Sequence, residues 1–224
     1  MNYSLQIKYL EIKYEKIKLF VIWSHKMPRE ISINSENTVI TIRKTLAESC
    51  GVATYKWLLD NLDPENEKYR TAFCNFYNVV GRSGAWRNAF FEVFIDCKNL
   101  KDNGNEVSIR TILQKLHEKD DIENFEISFA TKMLAMLDTS KPIVDKFVKK
   151  HCELNFLNGG VFEARLENAV EQYEILEQLY KEFMNTENAA NTIREFDSTF
   201  PEYTDISPIK KIDFLIMWKE KFNS

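Results

Sequence analysis

The longest unbroken run of apolar side chains at three- and four-residue steps lies between Phe162 and Met184. Leu166, Ala169, Tyr173, Leu176, Leu179, Tyr180 and Phe183 recur there at the helical period. The pattern predicts one long amphipathic helix, entered from the turn residues Asn158-Gly-Gly160. Its stripe must be covered by other elements, and the chain supplies helices for this rather than strands. Only 6 glycines and 5 prolines punctuate 224 residues that are rich in Lys, Glu, Leu, Ile, Asn and Phe. An all-α, multi-helix fold is therefore expected. With 44% apolar and 13% aromatic residues, one substantial core can form without staples. No repeat or flexible linker divides the chain, so residues 1–224 read as one globular domain whose lobes, if there are two, interleave in sequence.

The same period places further helices. Ile7, Leu10, Tyr14, Ile17 and Val21 mark an amphipathic helix in the first 23 residues, although Ile17 to Ile22 also fits strand alternation. Ile31-Ser-Ile-Asn34 reads as a short extended piece, and Ser35 as the cap of a helix ending near Gly51. Helices follow over Thr54–Leu62, Glu67–Val80 and Ser83 or Gly84 to Asp96, then Ile109–Glu118 capped by Ser108. Ser128 is expected to cap a short helix containing Lys132. Pro142 is expected in the first turn of a helix reaching His151 or Glu153, with Asp145 inside that turn. Pro208–Phe222 forms the last helix.

Composition narrows the function classes. The four cysteines, at 50, 74, 97 and 152, lack Cys-x-x-Cys spacing and suit buried thiols better than a metal cluster. His25, His117 and His151 are scattered, Gly159-Gly160 is too isolated for a phosphate loop, and no cofactor is expected. Neither a secretion signal nor an apolar run near 18 residues is present, which points to a reducing cytoplasm and no membrane partner. The net charge of −4 does not announce a nucleic-acid binder.

Chemistry concentrates in Ser128-Phe-Ala-Thr-Lys-Met-Leu-Ala-Met-Leu137 and Lys141-Pro-Ile-Val-Asp145. A lysine becomes a nucleophile only when burial or a nearby cation lowers its pKa, and Lys132 lies among Phe129, Met133 and Leu134. An aspartate facing it across the proline turn can take a proton, orient a water or stabilise positive charge at a sugar carbon.

This helix, turn and helix, with Ser-Phe-Ala-Thr-Lys-Met-Leu followed by Pro-Ile-Val-Asp, resembles the catalytic segment of the helix-hairpin-helix DNA glycosylases. The likeness extends more weakly to Phe73-Cys-Asn-Phe-Tyr77 and Lys210-Lys-Ile-Asp-Phe214, as in a divergent bacterial branch. It implies a helix-hairpin-helix glycosylase-like fold, DNA as partner, Lys132 as the amine that attacks the sugar carbon and Asp145 as its assistant. The chain departs from the family where a Gly-rich hairpin would hold a phosphate, since Glu123-Asn-Phe-Glu-Ile-Ser-Phe129 contains no glycine. The interval from Lys132 to Asp145 is also short for the family.

Arg82, Trp86 and Arg87 flank a glycine turn and could stack a base and contact phosphate, and Lys210 and Lys211 could touch a phosphate backbone. The sequence thus points to a glycosylase acting on a modified DNA base. The alternative is a non-catalytic interaction or scaffold protein that retains such a core with an acidic surface. A third possibility, carboxylate chemistry along Glu163, Glu167 and Glu171, has only the spacing of a solvated helical stripe.

Overall fold

The computed structural model describes residues 29–33 and 50–222, and among these it shows helices and no strand. The chain divides into two units, Met1–Glu30 and Ile31–Ser224. The second holds α1 (Cys50–Asp60), α2 (Glu67–Phe76), α3 (Gly84–Asp102), α4 (Ile109–His117), α5 (Ile127–Leu137), α6 (Lys146–His151), α7 (Phe162–Met184), α8 (Glu187–Thr199) and α9 (Pro208–Phe222). The helix expected in residues 1–23 lies outside the described residues, as does most of the one expected from Ser35. The expected end of the latter, near Gly51, falls instead in the first turn of α1. Residues 31–33 carry no regular structure, although Ile31 and Ile33 are buried.

The helix starts follow from side chains that satisfy orphan N–H groups. Asn66 accepts from the Lys68 and Tyr69 amides, Ser83 from Trp86, Ser108 from Thr111 and Thr186 from Ala189. Apolar faces then fix the packing. Phe73 on α2 meets Phe90, Phe91 and Phe94 on α3, each with ring centroids 5.7 Å apart, and Tyr69 meets Phe94 at 6.2 Å. Helix α4 packs on α3, α5 and α7, and α9 packs on α6 and α8.

Helix α5 runs through the centre of this arrangement. Every residue from Ala130 to Leu137 is buried, so the helix has no solvated face and must be wrapped by others. Lys132 sits inside that run at 8% exposure, an expensive position for a lysine.

Some helix bounds shift, with α1 starting at Cys50 rather than Thr54 and ending at Asp60 rather than Leu62, α2 ending at Phe76 rather than Val80 and α3 running on to Asp102 rather than Asp96, and the local expectations differ further from the fold around α5, α6 and α8. Ser128 does not cap α5, which begins at Ile127 after Glu126, with no side-chain cap. Pro142 lies in a non-helical turn rather than at a helix start, because the turn's backbone is bonded by outside hydroxyls. The Val144 N–H donates to Thr131 Oγ1 at 2.9 Å, and the Tyr173 hydroxyl donates to the Pro142 carbonyl at 2.9 Å. Helix α6 therefore starts only at Lys146, with Asp145 as its N-cap. Finally, α8 was not anticipated, because its buried face is only Ala189, Thr192 and Phe196.

Candidate functional site

Packing of α9 on α6, beside the buried α5, leaves a cavity of about 530 Å³. Its wall includes Phe76, Tyr77, Ser128, Phe129, Lys132 and Asp145, and also Lys146, Phe147, Lys210, Asp213, Phe214 and Trp218. Exposed Asn78 and Lys146 lie on the same lining and mark its solvent side. Lys132 and Asp145, thirteen residues apart in the chain, thus share one cavity.

Each member of the pair is held by its own helix. Because α5 begins one residue before Ser128, the serine hydroxyl is one turn below Lys132 and accepts from its Nζ at 3.2 Å. The ammonium also lies over the Phe129 ring at 4.8 Å and the Tyr77 ring at 5.4 Å. Burial lowers its pKa to about 8, the positive charge of Lys210 adds to that, and the carboxylates of Asp145 and Glu126 oppose it. A neutral amine is therefore accessible near physiological pH.

Asp145 is oriented by its capping role. Its Oδ1 accepts from the Phe147 and Val148 amides, both at 2.8 Å, which leaves Oδ2 outside the cap. The Thr131–Val144 bond ties the turn before it to α5. One hydroxyl adjoining Lys132 therefore sets the register of Asp145 against the lysine.

Deeper in the lining, α9 contributes a pair that the sequence did not single out as a pair. Lys210 is 4% exposed and Asp213 2%, and Lys210 Nζ stands 3.8 Å from Asp213 Oδ2. The Tyr180 hydroxyl donates to Asp213 Oδ1 at 2.6 Å. Burial raises the Asp213 carboxyl to about 7 although Lys210, Tyr180 and the Ile143 amide favour its charge. Burial likewise lowers Lys210, against the pull of Asp213 and Asp145. The i, i+3 spacing of Lys210 and Asp213 on one helix was the available signal.

The other proposed nucleic-acid contacts lie elsewhere. Lys211 is 2% exposed, donates to the Thr204 carbonyl at 2.8 Å and pairs with Asp197 at 2.5 Å. Arg82 pairs with buried Glu126 at 2.7 Å and lies over Trp86 at 4.9 Å. Trp86 is buried and stacked on Phe90, centroids 5.2 Å apart and planes 6° apart, so both its faces are covered by the protein. Arg87 is exposed and donates to the Val79 carbonyl at 3.1 Å. Glu163, Glu167 and Glu171 are exposed on α7, and Glu167 pairs with Arg110. Cys97 and Cys152 are buried and Cys74 half-buried.

Among the described residues no three His, Cys, Asp or Glu side chains gather as a metal-binding set, and no helix is long and apolar enough to cross a membrane. No protein-family model, curated protein or solved structure matches this chain.

Proposed function

We propose that this protein is a DNA glycosylase of the helix-hairpin-helix kind, acting on a modified base turned out of the duplex into the α5–α6–α9 cavity. What carries the reading is the shared cavity of Lys132, an amine with its pKa lowered to about 8, and Asp145, a carboxylate locked by the α6 cap. In the reaction the neutral Lys132 nitrogen forms a bond to the sugar carbon that carries the base. The bond to the base breaks with its electron pair passing to the base nitrogen, which takes up a proton. Asp145 stabilises the positive charge that develops at the sugar. The proton lost from nitrogen passes to the ring oxygen as the bond between that oxygen and the sugar carbon breaks, leaving an open sugar and an iminium link between protein and DNA.

Borohydride delivers hydride to that link and makes it permanent. Incubation with duplexes carrying a panel of modified bases, with borohydride present, is expected to yield a covalent adduct that Lys132→Met abolishes. Absence of both adduct and abasic product across the panel, and on abasic DNA itself, rejects the proposal.

A second reading, a non-catalytic interaction module, draws on the net charge of −4 and on the loop before α5, where Glu126 is occupied by Arg82 and no glycine is present to form a phosphate-binding turn. Titration with DNA at several salt concentrations separates the two. A glycosylase binds with affinity that falls as salt rises, whereas a module for protein partners shows negligible affinity and no slope.

A further inference from the structure

The polar floor of the cavity carries hydrogen-bonding capacity that the protein leaves unused. Asp213 Oδ1 is satisfied by Tyr180 and the Ile143 amide also favours the carboxylate, but Oδ2 is buried and has no hydrogen bond of ordinary geometry. A buried carboxylate oxygen without a donor is costly and calls for an explanation. The Lys210 ammonium, 3.8 Å away, is too far to supply that bond. Its charge is favoured by Asp213 and Asp145 and surrounded by aromatic faces, with Tyr55 at 4.8 Å, Phe214 at 5.1 Å, Tyr77 at 5.7 Å and Phe76 at 5.9 Å. Rings stabilise the cation without offering its N–H groups an oxygen or nitrogen acceptor. An unpartnered acceptor and an ammonium 3.8 Å from it therefore stand side by side at the end of an aromatic slot.

We propose that Lys210 and the ionised form of Asp213 select bases with a lactam edge, Asp213 Oδ2 accepting the ring N–H and Lys210 Nζ donating to the neighbouring carbonyl oxygen. The assignment rests on the glycosylase reading above and specifies its substrate class. Hypoxanthine, uracil and oxidised guanine present that N–H beside C=O. Adenine presents the inverse, a bare ring nitrogen beside an amino group, and would set acceptor against acceptor and donor against donor. Rejection of an analogue by a site built to hydrogen-bond its counterpart is a strong form of discrimination, because the mismatched partners are left buried and unpaired. Half-buried rings on the lining such as Phe76 and Phe147 offer stacking that every base can use, so they would contribute affinity without choosing among bases.

The test measures base release from matched duplexes carrying hypoxanthine, uracil or 8-oxoguanine, against duplexes carrying adenine or ethenoadenine, with borohydride trapping on abasic DNA as a reference reaction that involves no base. Release at least tenfold faster from the lactam group is expected, together with loss of that ratio in Asp213→Asn. In that variant the carboxamide oxygen can still meet Tyr180 while an amino group replaces Oδ2. Failure of wild-type trapping on abasic DNA defeats the glycosylase reading, and this proposal with it. Normal trapping with no release from lactam bases, or with equal or faster release from the other group, overturns this proposal alone. So does an Asp213→Asn protein that melts like wild type and keeps the original ratio. Should the variant fail to fold, the wild-type ratio decides.

Discussion

Thr131 Oγ1 accepts the Val144 amide at 2.9 Å, and each of these residues immediately precedes a member of the Lys132–Asp145 pair. The same hydroxyl donates to the Ser128 carbonyl at 3.1 Å, so its proton and one lone pair are both committed. Thr131 is fully buried, and no water can replace it easily. Thr131→Val keeps the shape but leaves the Val144 N–H buried and unpaired, at a cost of about 1–3 kcal/mol measured by denaturant unfolding. The turn loses its register, and kcat for adduct formation is expected to fall more than KM rises. Thr131→Ser, which restores the hydroxyl, should recover most of both. Unchanged kcat in a folded Thr131→Val protein would show that the clamp does not position the pair.

Lys132 gives a pH signature. With its amine at about 8, trapping should rise with pH, reach half its maximum near 8 and then level off. Stability changes in the same direction. The folded pKa lies below the ordinary 10.5, so between about 8 and 10.5 the unfolded chain binds more protons than the native one, and stability increases with pH across that window. Below it, the buried ammonium costs about 3 kcal/mol at most. Lys132→Met should therefore melt higher than wild type at pH 7, with the gap closing by pH 10, while losing all trapping.

Asp145 combines a structural and a chemical task that substitution can separate. Asp145→Asn keeps an oxygen to accept the Phe147 and Val148 amides, so stability should change little while adduct formation falls about a hundredfold or more. Asp145→Ala loses the cap as well and should unfold about 1 kcal/mol more easily. Equal activity of Asp145→Asn and wild type would remove the carboxylate from the chemistry.

Arg82 is expected to behave as a structural residue. Glu126 is 6% exposed, and Arg82→Met leaves that carboxylate without its cation, a loss of about 3 kcal/mol. The double variant with Glu126→Gln should regain part of it. DNA affinity that is unchanged in both variants, after correction for unfolded protein, would fit this account. An equal drop in both would return Arg82 to the phosphate contacts.

Much of this was legible in the chain because it depends on local rules. The helical period places α7 and α9 at their observed limits, and Ser83 and Ser108 mark the starts of α3 and α4. That Lys132 and Asp145 could line one cavity was readable because they stand on consecutive helices joined by one short turn. What the sequence could not show came from long-range contacts. Nothing local tells that Tyr173 and Thr131 would take the turn's backbone and push the start of α6 past Pro142. Lys210 and Lys211 look like a solvated basic pair, yet both are buried. Only the tertiary position of α9 shows that Lys210 faces the cavity while Lys211 reaches Asp197 on α8.

The cavity is walled by α5, α6 and the distant α9, so Lys132 is desolvated only once all three have docked. An unfolded or half-assembled chain carries this residue as an ordinary lysine, protonated but for a small fraction at neutral pH. The lowered pKa of Lys132 is in this sense a property of the finished tertiary structure, absent from the chain until assembly is done.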